Sequence, residues 1–139
     1  MEGGESTLAS QKTHHASGVI TTPRGVVLVK DIHQPKPQWW SGPGGKGKLG
    51  ETPQKTFVRE LEEETGLRVN SKQLRLIRKS RVKNCRYFVF TAHIDDLRGL
   101  KRCGNEGEEI QFVPLSELRS VAGLSPHFLL TLSLCENLI

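Results

Sequence analysis

Apolar and polar positions begin to alternate at His15, after a start of small and polar residues. Ala16–Thr21 reads as a strand, Thr22-Pro23-Arg24-Gly25 as a turn and Val26–Val29 as a returning strand. From Pro35 to Gly50 the chain is dense in glycine and proline, which predicts special backbone conformations rather than a ladder or a helix. At Thr52 the period becomes helical. Threonine suits the N-cap, Pro53 the first helical position and Gly66 a left-handed stop, while Phe57, Val58, Leu61 and Thr65 share one side. Further strands are expected at Leu74–Leu76, Cys85–Ile94 and Ile110–Pro114. Ser116-Glu117-Leu118 should start a short helix, and Pro126–Leu138 should form a closing amphipathic one. Strands and helices mix without a steady βαβ alternation, so an α/β (α+β) fold with a mixed sheet between helices is expected. Residues 1–12 read as a flexible tail and 13–139 as one domain.

Composition narrows the class. A length of 139 residues fits one domain, with a core that needs neither disulfides nor a structural metal. Cys85, Cys103 and Cys135 are odd in number and form no CxxC pair, which predicts free thiols in a reducing compartment. No apolar run approaches the ~18 residues needed to span a bilayer, so no membrane association is expected. The first residues lack the basic start and apolar core of a signal peptide, and a cytoplasmic protein is expected. The formal charge of +5 favours anionic partners.

The chemistry concentrates on the helix predicted after Thr52. Glu60, Glu63 and Glu64 stand at i, i+3 and i+4 and would project from one face. Like charges this close weaken a helix unless a multivalent cation sits among them. Oxygen-only ligands suit Mg²⁺ or Mn²⁺. Arg59 is placed to orient or neutralise one of the carboxylates. The plain alternative is a solvated acidic face.

The wider segment decides between them. Gly45, Glu51, Arg59, Glu60, Leu61, Glu63, Glu64, Gly66 and Leu67 fill every fixed position of the pattern G-x5-E-x7-R-E-U-x-E-E-x-G-U, where U is aliphatic. The segment resembles the Nudix box, and a chance match is on the order of one in 10⁹ per starting position. Trp40-Ser41-Gly42-Pro43-Gly44-Gly45-Lys46 is similar to the entry that often precedes that box. Gly104-Asn105-Glu106-Gly107, the strand after it and Pro114-Leu115-Ser116-Glu117-Leu118 are similar to the family's later loop, strand and helix. The resemblance implies a Nudix fold and a Mg²⁺- or Mn²⁺-dependent hydrolase that cleaves a phosphoanhydride in a nucleoside diphosphate linked to a further group. It implies that Glu60, Glu63 and Glu64 bind metal with the Gly44 carbonyl, and that Glu51 and Arg59 stiffen the loop and helix. It also implies that Glu106 joins the metal site or serves as base, with Glu108 and Glu109 as rivals. Glu63 or Glu106 would take the proton from the attacking water. Lys46 would offset charge on the leaving phosphate.

Within the family the entry segment and short chain resemble the mutator-type branch, which implies a nucleoside triphosphate, oxidised or not, cleaved to monophosphate and pyrophosphate. Dinucleoside polyphosphates, nucleotide sugars and RNA 5′ ends are the alternatives. Several features depart from known branches. Lys48 stands where many members carry glutamate, no asparagine near Leu124-Ser125-Pro126-His127 is set to read a purine, and Val82 occupies the region where ADP-ribose hydrolases carry proline. Tyr87 lies too far along to match the dinucleoside polyphosphate signature. Trp39 or Trp40 would stack on a base or serve the core. The basic run Arg75, Arg78, Lys79, Arg81, Lys83 and Arg86 reads as a solvated sheet edge in preference to a nucleic-acid track. A Nudix-like module that binds a nucleotide or RNA without turnover would show lost box glutamates, and none is lost. The expected partner is a small nucleotide, with the chain a monomer or homodimer.

Overall fold

A computed structural model describes residues 14–138. The expected tail at 1–12 lies outside the described residues. The first strand, β1 (His14–Thr22), is the hub of a seven-stranded mixed sheet. It turns at Pro23 and Arg24 into antiparallel β2 (Gly25–Lys30), where the Thr22 hydroxyl accepts from the Arg24 N–H at 3.0 Å and donates to the Gly25 carbonyl at 2.8 Å. β6 (Cys85–His93) runs parallel to β1 from His14↔Arg86 to Thr21↔His93. β5 (Arg75–Val82) pairs antiparallel with β6 and is the edge strand. Two short strands, β3 (Trp40–Ser41) on β2 and β4 (Gly44–Lys46) on β1, and then β7 (Glu109–Val113) on β2, complete the sheet.

Side chains alternate between the two faces of the sheet, and each face packs on one helix. On one face Val19, Val26, Leu28 and Val89 meet Phe128 and Leu132 of α2 (Pro126–Leu134). On the other Ala16, Ile20, Val27, Phe88 and Phe90 meet Phe57 and Leu61 of α1 (Pro53–Thr65). The sheet is therefore sandwiched between helices, as expected. Phe57 and Leu61 are fully buried, each contributing about 1.5–3 kcal/mol. Gly18 is what lets α1 lie so close, since a Cβ there would sit 2.5 Å from the Phe57 ring.

The ends of α1 follow the local sequence. The Thr52 hydroxyl accepts from the Lys55 N–H at 3.2 Å, Pro53 opens the first turn, and Gly66 at φ 80° donates its N–H to the Glu62 carbonyl. Three expectations need correction. The Gly/Pro-rich segment does join the sheet, through β3 and β4, because its glycines let β4 run against β1: a Cβ on Gly44 would lie 2.4 Å from the Ala16 carbonyl. β5 extends to Val82 rather than ending at Leu76. The short helix expected at Ser116 is present as a 3₁₀ helix over Leu115–Ser120. The closing helix stops at Leu134, where Cys135 turns inward and its thiol donates to the Ile77 carbonyl at 3.3 Å. Leu129, Leu130 and Leu134 are exposed, so this helix is less amphipathic than expected. All three cysteines are free, and among the described residues no helix is long and apolar enough to cross a membrane.

Candidate functional site

Helix α1 presents Arg59, Glu60, Glu63 and Glu64 toward the loops that flank it, and Arg59 ties the group together. Its Nε and Nη2 donate to both oxygens of Glu51 at 2.7 and 3.1 Å, Nη1 donates to Glu60 at 2.8 Å and Glu63 at 3.2 Å, and Nη2 also reaches the Lys46 carbonyl at 3.1 Å. One guanidinium thus joins the strand before the helix, the loop and the helix itself. Glu51 accepts further from the Lys48 N–H at 2.7 Å and the Thr56 hydroxyl at 2.9 Å, and Thr56 in turn meets His14 Nε2 at 2.8 Å. The Arg59 bonds, chiefly, hold the Glu51 carboxyl at about 2, and Glu51 above all raises Arg59. Lys48 contributes its backbone N–H here, which any residue supplies.

Glu64 occupies a different environment. One carboxylate oxygen accepts from the Gly44 N–H at 2.9 Å, yet burial pushes its pKa up to about 9, with Glu60, Glu108 and Glu63 adding repulsion. Burial also raises Glu60, against the pull of Arg59. These glutamates, with Asp31, Asn105, Glu106 and Glu108, line a basin of about 360 Å³. The loop after Lys101 is fastened onto α1, with the Asn105 N–H on the Glu63 carbonyl at 3.0 Å and the Lys101 ammonium on the same carbonyl at 3.3 Å. Within that loop Glu108 is buried and accepts from the Glu106 N–H at 3.1 Å. Glu106 is exposed on the basin's rim, and Glu109 turns away to pair with Lys30 at 3.8 Å. Of the three rivals, burial and charge bring Glu108 closest in effect to Glu64.

The donor set fits a hard divalent cation, because every polar side chain lining the basin offers oxygen and, among the described residues, no cation pairs with the desolvated Glu64 carboxyl. Among the described residues no three acidic side chains are already spaced around one point. Arg59 holds Glu60 and Glu63, and the Gly44 N–H holds Glu64, so closing on a cation requires these contacts to rearrange.

A second cleft, of about 300 Å³, shares Asp31, Glu64 and Glu108 with the basin. Trp39, 43% exposed, lines this second cleft with Gln34, Pro37, Ser41, Gly42, Gly44 and Ser125. Trp40 goes elsewhere: it packs against the α2-side core, with the Lys30 ammonium 4.7 Å from its ring centre. Gly44 joins the cleft and the basin, through its N–H on Glu64. Lys46 lines neither, and only its carbonyl reaches the Arg59 cluster. Asp31, Gln34 and Ser125 were not singled out from sequence. Asp31 caps a local turn, accepting from the His33 N–H at 2.9 Å and the Gln34 side chain at 3.1 Å, and such a turn is the one signal that marked it.

Comparison with known proteins agrees with this geometry. The family model for the NUDIX domain matches residues 12–130. An ADP-ribose pyrophosphatase of Methanocaldococcus jannaschii is 30% identical over 107 residues, covering 76% of this chain and 63% of its own. An uncharacterised Nudix hydrolase of Bacillus subtilis is 26% identical over 108 residues, covering 74% of this chain and 66% of its own. The chain thus spans just under two thirds of the length of these curated relatives. A MutT structure, from work on the Aliivibrio salmonicida and Vibrio cholerae proteins, superposes with a TM-score of 0.71 at 21% identity, covering 89% of this chain and 97% of that one. It shares the fold.

Proposed function

The chain belongs to the Nudix family, and from that premise we propose that it hydrolyses a phosphoanhydride bond in a nucleoside diphosphate linked to a further group. The observation that carries this reading is the set of residues the two cavities share. A cleft with an aromatic wall at Trp39 meets a basin of carboxylates at Asp31, Glu64 and Glu108. That layout suits a nucleoside at one end and its phosphates at the other.

Glu60, Glu63 and Glu64 would hold Mg²⁺ or Mn²⁺, with Glu108 in the role the sequence lent to Glu106. A bound divalent cation would supply neutralisation of the phosphate oxygens and a more acidic water. The rest falls to the chain. Arg59, anchored on Glu51, keeps Glu60 and Glu63 on the basin side of α1. Glu63 is the most accessible of the pair, its side chain 42% exposed against 17% for Glu60, and it is suited to accept a proton from water. Before a cation binds, the Gly44 N–H holds the buried Glu64 in place. Trp39 offers its ring face to a base, while Gln34, Ser41 and Ser125 supply the polar groups for a base edge that the sequence had not disclosed.

For the substrate we favour a nucleoside triphosphate, cleaved to monophosphate and pyrophosphate. The short entry segment and the polar cleft support this choice. ADP-ribose is the second reading, favoured by the named activity of the Methanocaldococcus jannaschii relative. A phosphate-release panel over triphosphates, ADP-ribose, dinucleoside polyphosphates and capped RNA tests both. Turnover should require Mg²⁺ or Mn²⁺, vanish in EDTA, and fall at least ~100-fold in Glu63→Gln. Undiminished turnover in EDTA would overturn the mechanism. A tenfold preference for ADP-ribose over every triphosphate would overturn the substrate choice and leave the reaction class standing.

A further inference from the structure

Outside the cleft, β1, β6 and the start of α2 bring three rings together on one surface. His15 and Tyr87 are register partners on parallel strands, their ring centres 5.5 Å apart. Tyr87 then meets His127, the second residue of α2, at 5.9 Å. A cation stands at each end of this row. Lys46 pairs with His15 across β1 and β4 and acts on its charge. Arg78 lies on the Tyr87 side of the β5–β6 hairpin, acts on the charge of His127 and donates to the Thr131 hydroxyl at 2.8 Å. Burial, above all, lowers the pKa of both histidines, so near neutral pH the rings offer uncharged π faces between two fixed positive charges.

The surroundings have the same polarity. From Gly66 to Ile94 the chain has no Asp or Glu, and Arg81 and Lys83 carry positive charge on to the β5–β6 turn. An edge strand needs some charge to resist pairing with other chains. That requirement does not call for three rings in contact on the adjoining surface. Nor would an acidic peptide use them, because carboxylates gain from the cations alone.

We propose that this surface binds single-stranded nucleic acid, with bases stacking on His15, Tyr87 and His127 and phosphates meeting Lys46, Arg78 and Lys83. A single strand is required because a duplex hides the base faces that the rings would cover. The surface adjoins the candidate site through Lys46, yet the inference stands without the hydrolytic reading, since binding here involves no bond cleavage.

The test is binding in EDTA, which removes hydrolysis from the outcome. Anisotropy of a labelled ten-nucleotide RNA, and of the DNA of the same sequence, is followed between 50 and 200 mM NaCl. Three phosphate contacts predict a log–log salt slope of about −2. Lys83→Gln should reduce that slope by about a third, whereas Tyr87→Ala should weaken binding about tenfold and leave the slope unchanged. Tyr87→Phe should bind normally, and Tyr87→Ala should still cleave small nucleotides at the wild-type rate. The proposal is overturned if Tyr87→Ala binds as tightly as the wild type, if a duplex of equal length binds as well, or if polyglutamate displaces the RNA at equal charge. The last result would make the surface a seat for acidic peptides.

Discussion

Replacing Glu64 by glutamine should make the metal-free protein more stable while it disables the site. In the folded protein the Glu64 carboxyl is pushed from 4.5 to about 9, chiefly by burial. Below pH 4.5 both folded and unfolded chains hold the proton and no penalty arises. Above it the unfolded chain releases the proton and the folded one keeps it, so stability is lost as pH rises toward 9. At pH 7 the linkage amounts to about 3 kcal/mol, and partial water access to the basin trims it to about 2 kcal/mol. Glutamine can still accept from the Gly44 N–H and carries no charge to desolvate, so the variant should escape the penalty. For a domain of this size that is a rise in Tm of about 5–10 °C at pH 7 in EDTA. Thermal melts at pH 5, 7 and 8.5 give the assay. The two proteins should nearly coincide at pH 5 and separate progressively toward pH 8.5, and saturating Mg²⁺ should raise the wild-type Tm more than that of the variant. A variant that melts below the wild type at pH 8.5, or differs from it equally at all three pH values, would refute the burial argument.

Other perturbations probe the neighbouring contacts. Glu51 has a folded pKa of about 2, so its contribution is complete above pH 4.5 and is lost as pH falls toward 2. Glu51→Gln should therefore lower stability by about 1–2 kcal/mol at pH 7, after allowance for solvent around the ion pair, and by little at pH 2. Equal losses at both pH values in urea melts would reject the linkage. Glu108→Gln should reduce kcat more than Glu106→Gln does, and the opposite order of rates would return the loop role to Glu106. Gly18→Ala should destabilise by about 1–3 kcal/mol through its clash with Phe57, and Phe57→Leu in the same chain should recover part of that loss. Strict additivity of the two would place the strain elsewhere.

What sequence disclosed and what it hid divide along a physical line. Thr52, Pro53 and Gly66 act within one turn of themselves, so the ends of α1 were legible from the residues alone. The spacing of Glu60, Glu63 and Glu64 likewise encodes a shared face, and the completeness of the box identified the family. β5 was cut short because an edge strand with solvated cations loses the apolar alternation that marks a strand. β4 was hidden because glycine reads as a breaker, and only the neighbouring strand shows why small residues belong there. Asp31 and Gln34 share one loop and Ser125 comes from another, and the two loops meet at the cleft through tertiary packing, which no spacing rule records. Trp39 and Trp40 are adjacent and chemically identical, and backbone direction alone sends one to the cleft and the other to the core.

The hub position of β1 also sets an order of events for the nascent polypeptide. Its hairpin with β2 closes over a two-residue turn and can form within microseconds of leaving the ribosome. Its parallel partner is far away, with Val19 and Thr91 bonded across 72 residues, and that pairing must wait until β6 has been synthesised. Until then one long edge of β1 has unpaired backbone N–H and C=O groups, and α1 has only half of the surface against which Phe57 and Leu61 pack. High contact order of this kind slows folding and leaves a sticky intermediate. Expression yield, rather than the stability of the finished fold, should respond most sharply to conditions that lengthen that interval.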